Sequence, residues 1–357
     1  NPMQQPLWIW QQPQWPHFSW QADTLAPLLR ACAQAQGRLL GMLGAVGDDT
    51  EAQSSLDALL QNIVTSSAIE GEQLNVGSVR SSLARRLGIA EEGRTTARSE
   101  GLAELLLDAT SAQQQPLTLQ RLLGWHQWLF PKDDHLLSQP LRIGSLRGDE
   151  PMQVVSGRLD RPTVHFEALR AGIAHFWFVT LHPFDDGNGR LTRALTDLAL
   201  AQSEQQAIRF YAMSASILAD RAGYYRILEA SQKGTLDITP WLQWFLSTLL
   251  NSLEQALSRI DRVLAKARFW QTHHGHGLSA EQSKVLNRLL DGGDKGFADG
   301  ISAAQYQAVA KVSKATATRH LSDLLDKGCL VRLPGGGRST RYQINRPGST
   351  LPGATHE

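Results

Sequence analysis

Between residues 23 and 270, apolar side chains return again and again at helical spacing, and this confines the chain to a mainly α-helical fold. Leu25, Leu28, Leu29, Leu39, Leu40 and Leu43 fit one helix over 23–46. Leu56, Leu59, Leu60, Ile63 and Val64 form one stripe over 51–70. A polar loop at Glu91–Thr96 precedes a helix through Leu107, and another runs from Leu117 to Leu129, stopped by Pro131. Helical patterning returns at 166–180, from the loop after His182 to about Ala201, and at 217–231 and 240–269. Two stretches depart from it. In 148–164, Met152, Val154 and Val155 lead to Ser156-Gly157 and then Pro162-Thr163-Val164, which predicts a β-hairpin with a loose tip. In 1–20, Trp8, Trp10, Trp15 and Trp20 stand among Pro6, Pro13 and Pro16. Tryptophans two apart predict an edge strand whose indoles pack on the next domain, with a peptide-binding surface as the alternative.

The end of the chain changes rhythm. His273-His274-Gly275-His276-Gly277 invites a metal reading, but no carboxylate or thiol lies close by in sequence, so an interdomain linker is expected there. Beyond it, helices are predicted at 281–290, 302–309 and 313–327, then a strand at 329–333, a Gly-rich turn and a return strand at 341–344. Three helices and a two-stranded wing describe a winged helix-turn-helix. Residues 279–346 carry 11 Lys and Arg against 6 Asp and Glu, a local charge of +5 within a chain of net charge +1. The excess suits Lys314, Thr316 and Arg319 at the start of the recognition helix, with Arg338 and Arg341 on the wing, as DNA contacts. Winged helices also bind proteins, so this partner stays open.

Composition bounds the setting. At ~150 residues per domain, 357 residues predict two or three domains, and 42% hydrophobic content excludes a largely disordered chain. Two cysteines, Cys32 and Cys329, exclude a disulfide scaffold and fit a reducing cytoplasm. No apolar run approaches the ~20 residues of a membrane span, and the N-terminus is too polar for a signal peptide.

The chemistry concentrates in His182-Pro-Phe-Asp-Asp-Gly-Asn-Gly-Arg-Leu-Thr-Arg193. The segment lies between helical patterns, so its second half starts a helix. Gly187 and Gly189 allow the backbone N–H groups, with that of Asn188, to converge on an anion. Arg190 and Arg193, three apart, share the face above it and can fork onto phosphate oxygens. Asp186 offers a hard oxygen to Mg²⁺ beside such phosphates. His182 can take a proton from an incoming hydroxyl, and Phe184 turns inward to pin the loop.

This segment resembles the signature of Fic domains, His-x-Phe-x-(Asp/Glu)-Gly-Asn-Gly-Arg-x-x-Arg, at every specified position. The resemblance implies a Fic helical core that moves AMP from ATP, with Mg²⁺, onto a hydroxyl of a target protein. His182 would be the base toward a Ser, Thr or Tyr hydroxyl and Asp186 would hold the metal. Residues Gly187, Asn188, Gly189, Arg190, Leu191, Thr192 and Arg193 would bind ATP, the two arginines on the β- and γ-phosphates. Tyr225, in the Tyr224-Tyr225 pair, would pack near adenine, with ordinary core packing as the alternative. The hairpin resembles the family's flap, which aligns a target segment by strand addition through Gln153, Val154, Val155, Val164 and His165. Upstream, Ser66-Ser67-Ala68-Ile69-Glu70-Gly71 is similar to the family's inhibitory helix motif, (Ser/Thr)-x-x-x-Glu-(Gly/Asn). There Ser66, Glu70 and Gly71 would place a carboxylate on Arg193 in the γ-phosphate's position. A plain helix end capped by glycine is the alternative.

The expected layout is a Trp/Pro-rich strand and helix region at 1–48, an inhibitory-helix region at 49–110, and the Fic core at 111–270. A linker at 271–278, the winged helix at 279–346 and a tail at 347–357 follow. The expected activity is an autoinhibited protein adenylyltransferase, with self-modification and homo-oligomers open. Transfer of another group, removal of AMP, and an ATP-responsive DNA-binding regulator are the rival readings.

Overall fold

The computed structural model describes residues 8–131, 141–148, 167–204, 210–292, 296–335, 337 and 340–346. The predicted hairpin and the tail lie outside the described residues. Contacts divide the chain into two compact units, Asn1–Leu257 and Ser258–Glu357.

The described residues of the first unit are mainly helical. In order it holds α1 (Ala22–Leu43), α2 (Asp48–Ile69), α3 (Val76–Arg86), α4 (Ala97–Ser111), α5 (Leu119–Leu129), α6 (Glu167–Leu181), α7 (Asn188–Glu204), α8 (Met213–Ala219), α9 (Arg221–Gln232) and most of α10 (Thr239–Thr272). Short polar side chains start several of them. Asn75, Thr96, Thr118 and Asp220 each accept a hydrogen bond from a first-turn backbone N–H of α3, α4, α5 and α9. Asp220 divides the single helix expected over 217–231 into α8 and α9, since it ends one and caps the next.

The core joins stripes from α2, α3, α4, α5, α6 and α7, with Leu56, Leu83, Ala103, Trp125, Leu129 and Leu191 fully or almost fully buried. Its centre lies beneath the loop between α6 and α7. Phe184 of that loop is buried in the same cluster, as its sequence position predicted. Trp241, Phe245 and Leu246 of α10 are fully buried as well.

The described part of the Trp-rich start, residues 8–20, forms no edge strand. Ile9–Gln11 form a short 3₁₀ helix, Trp8 and Trp10 stack at 4.8 Å, and Trp10 is exposed. Pro13 and Pro16 lack backbone donors and prevent a ladder in this segment. One bridge, Ser19 with Asp237, is all the pairing among its described residues. Trp15 is buried and leads through Phe18 to Phe176 of α6.

The second unit contains the end of α10, then α11 (Ala280–Asp291), β1 (Ile301–Ser302), α12 (Ala303–Ala310), α13 (Lys314–Asp326), β2 (Leu330–Arg332) and β3 (Arg341–Ile344). The strands form an antiparallel sheet in the order β1-β3-β2, one strand more than expected. Ser279, Ser302 and Ser313 cap the three helices. Residues 271–272 of the expected linker are the last residues of α10.

Candidate active site

The loop from His182 to Gly187 leaves α6 and turns into the first turn of α7. His182 itself has positive φ, +49°, while its N–H still donates to the Phe178 carbonyl at 3.1 Å. Asn188 holds the turn closed: its Oδ1 accepts from the Phe184 N–H at 2.9 Å and its Nδ2 donates to the Phe184 carbonyl at 2.8 Å. Both polar ends of Asn188 are thus engaged in holding the loop. Leu191 and Thr192 are fully buried, and the Thr192 hydroxyl donates to the Asn188 carbonyl. Their side chains shape the helix start from beneath.

His126 of α5 was not singled out in the sequence, yet it supports the whole loop. It is fully buried and stacks on Phe184 with ring centroids 4.3 Å apart. Its Nδ1 accepts from the Gly144 N–H at 3.0 Å, so its Nε2 carries the proton and donates to the Asp186 carbonyl at 3.1 Å. Burial pushes its imidazole below the ordinary range.

Two carboxylates from the end of α2 meet the two motif arginines. Glu70 Oε1 accepts from Arg193 Nη2 at 2.7 Å, while Arg193 Nε donates to the Ser66 hydroxyl at 2.8 Å and Nη2 to the Ser66 carbonyl at 2.9 Å. Two residues on, Glu72 Oε2 accepts from Arg190 Nη1 at 2.7 Å and its other oxygen pairs with Arg98. Glu72, Arg98 and Arg147 were also missed, since no local pattern in the sequence sets them apart. Local backbone geometry explains how both carboxylates arrive. Gly71 has φ +81°, its N–H bonds the Ala68 carbonyl and the Glu72 N–H bonds the Ser67 carbonyl, a Schellman ending that reverses the chain. Glycine capping and delivery of Glu70 are therefore the same feature rather than alternatives. At the other side, a Cβ on Gly189 would stand 2.1 Å from Glu70 Oε1, so any larger residue there would push the carboxylate from its present place.

The arginines of the site keep N–H groups that their carboxylate partners do not take up. Arg147 Nη2, Arg190 Nε and Arg193 Nη1 are buried with no hydrogen-bond partner among the described residues. Buried donors of this kind call for an acceptor. The orphaned N–H groups fit the oxygens of a polyphosphate. Asp186 stands at the rim, its side chain 58% exposed; Oδ1 accepts from the Gly187 N–H and Oδ2 has no hydrogen bond among the described residues. A hard carboxylate oxygen left open beside arginine N–H groups suited to phosphate fits Mg²⁺.

His182 is exposed, but packing around its ring lowers its pKa, Arg147 lowers it further, and the Val179 carbonyl, Glu70 and Asp186 oppose the shift. Below, His175 bridges Thr196 and Tyr224 at 2.9 and 3.0 Å. Tyr224 is thus the core tyrosine, and burial pushes its hydroxyl up to about 12. Tyr225 faces solvent, 42% exposed, with the Arg221 guanidinium over its ring. Gln153, Val154, Val155, Val164 and His165 lie outside the described residues, as does Arg338. In the second unit Lys314 and Arg319 are exposed on α13, Thr316 is partly exposed, and Arg341 is tied to the Gly300 carbonyl at 2.9 Å.

Residues 116–200 match the Fic/DOC family, and residues 8–89 match a domain of unknown function, DUF4172. The chain carries a Fic/DOC domain, whose helices here are α5, α6 and α7 with the motif loop between the last two. It is 23% identical over 278 residues to a protein adenylyltransferase Fic of Drosophila virilis, covering 71% of this chain and 55% of that protein. It is 24% identical over 242 residues to the protein adenylyltransferase fic-1 of Caenorhabditis briggsae, covering 62% and 45%. The chain therefore spans about half the length of these relatives. Among solved structures, a Fic family protein from Desulfovibrio desulfuricans G20 aligns over 93% of this chain and 98% of its own at 17% identity and a TM-score of 0.48.

Proposed function

We propose that the chain is an autoinhibited protein adenylyltransferase that transfers AMP from ATP to a hydroxyl of a target protein, and to itself when the brake is released. The observation that carries this reading is the pairing of Glu70 with Arg193 inside a site where Arg147 Nη2, Arg190 Nε and Arg193 Nη1 are buried without acceptors among the described residues. The site is built for a polyanion, and a carboxylate of the same chain already holds part of it.

With ATP as substrate, Arg190 and Arg193 would hold the outer phosphates, and the backbone N–H groups at 187–189 would receive phosphate oxygens at the start of α7. Mg²⁺, held by Asp186, would neutralise charge on the phosphates. His182 would take the proton as a Ser, Thr or Tyr oxygen of the target attacks the α-phosphorus; the bond to pyrophosphate breaks and AMP stays on the oxygen. A base of this kind contributes about 10²–10⁴-fold. The neutral imidazole is favoured by the lowered pKa of His182. Exposure of that ring leaves room for a protein substrate. Residues 153–165 would align the target segment, and Tyr225 would lie along the adenine.

Glu70 prevents this by holding Arg193, and Glu72 acts likewise on Arg190. The second unit, with exposed Lys314 and Arg319, would serve as a winged-helix docking module for DNA or protein.

The test uses Glu70→Gly with Mg²⁺ and ATP labelled at either the α- or the γ-phosphorus. Protein-bound label from the α position alone is expected. Label from the γ position would make the chain a phosphotransferase, and no label from either would contradict the reading.

A further inference from the structure

The second unit gathers the histidine-rich segment and a distant cysteine at one point. His273 Nδ1 lies 3.1 Å from His276 Nδ1 and 3.5 Å from the thiol sulfur of Cys329, which is 56 residues away in sequence. All three ligand atoms fall within 4.8 Å of one another. The thiol that the sequence placed nowhere near these histidines is supplied by the fold.

The backbone sets this arrangement. His273 ends the turn beyond α10, its N–H on the Phe269 carbonyl, and the His276 N–H closes a further turn on the His273 carbonyl. That turn puts both imidazoles on one side. Cys329 immediately precedes β2, its N–H on the Leu324 carbonyl and its carbonyl receiving the Asn345 N–H. Phe269 and Cys329 belong to the core of this unit, so two of the three ligands stand on rigid ground. His273 and Cys329 are buried, and His276 is partly exposed.

The spacing suits a metal better than it suits hydrogen bonds. A neutral imidazole nitrogen has one in-plane site, either a lone pair or a proton. Here one nitrogen faces two partners. Tetrahedral zinc with bonds of about 2.0–2.1 Å to nitrogen and 2.3 Å to sulfur separates two nitrogens by about 3.3 Å and a nitrogen from a sulfur by about 3.6 Å. The two observed separations are close to those edges. Two imidazoles and a thiolate are a borderline-soft set, which selects Zn²⁺-like ions over Mg²⁺ or Ca²⁺.

We propose that His273, His276 and Cys329 form a site for a tetrahedral Zn²⁺-class ion, with the fourth position open on the His276 side. The ion ties the end of α10 to the start of β2. It belongs to the second unit and makes no use of the chemistry of the arginine site.

Cobalt(II) is the probe. The untagged full chain, reduced and stripped with chelator, is titrated with cobalt alone. One ion per chain should bind, with visible ligand-field bands of tetrahedral cobalt and a near-ultraviolet thiolate-to-cobalt charge-transfer band, and zinc should erase both. Cys32→Ser, which leaves the cluster whole, should keep the charge-transfer band, and Cys329→Ser should lose it. Because Cys329 is buried, the partly exposed His276→Ala serves as the second variant and should weaken cobalt binding at least tenfold. Binding with no thiolate band, a band that survives in Cys329→Ser, or unchanged affinity in His276→Ala would overturn the assignment.

Discussion

Glu70 Oε1 stands 2.7 Å from Arg193 Nη2, across 123 residues of sequence, in the space that opens because residue 189 has no side chain. A buried arginine with a carboxylate partner is costly to rearrange, since either group alone is left short of compensation. Under the proposed function, ATP would have to displace this carboxylate to use Arg193.

Replacing Glu70 by Gly should therefore raise AMP transfer at least tenfold, the effect of about 1.4 kcal/mol of relieved competition. Initial rates with labelled ATP measure it. Equal rates in the two proteins would remove Glu70 from regulation.

Glu72 serves both Arg190 and Arg98, and Arg190 is largely buried. Glu72→Gln should lower unfolding stability in urea by about 2 kcal/mol, less than a fully buried pair because Glu72 is partly exposed. Saturating Mg²⁺ and ATP should then raise the melting temperature of the variant more than that of the unmodified chain, as phosphate oxygens replace the lost carboxylate. An equal rise in both would show that Arg190 does not receive phosphate.

The His182 imidazole is held below its usual range by packing and by Arg147. Only the neutral ring accepts a proton, so the acid limb of the rate profile of Glu70→Gly should fall with a midpoint below the free-histidine value of about 6.5. Arg147→Met should move that midpoint upward. A midpoint that stays in place would place Arg147 outside the electrostatics of the base.

His175 is fully buried, and desolvation followed by the nearby Arg193 lowers its pKa to about 3. In the unfolded chain it titrates near about 6.5. Its neutral form is bonded in the fold, so its stabilising contribution is complete above the unfolded value. That contribution is lost as pH falls from about 6.5 toward the folded value, by about 1.4 kcal/mol per unit. His175→Gln should flatten this part of the stability curve. A slope equal to that of the parent chain would contradict the assignment.

Much of the helical order was legible because apolar stripes and short polar caps agree, as at Thr118 before α5. The motif loop was legible for a different reason: base, glycines and arginines are contiguous, so one stretch of chain holds most of the site. What was missed depends on distance in sequence. His126, Arg147 and Glu72 reach the loop from other segments, and nothing in their neighbours marks them. α3 escaped notice because Ser81, Ser82 and Arg80 blur its stripe, although Val79 and Leu83 are buried. The Trp8 and Trp10 spacing pointed to a strand, and the prolines won. Cys329 and the histidines met only through folding of the second unit.

The most direct test of the account is the intact mass of three purified proteins after incubation with Mg²⁺ and ATP: the unmodified chain, Glu70→Gly, and Glu70→Gly with His182→Ala. One AMP added to Glu70→Gly, little or none to the unmodified chain and none to the double variant is the predicted result. Equal AMP on the unmodified chain and Glu70→Gly, or AMP on the double variant, would contradict the brake or the base respectively.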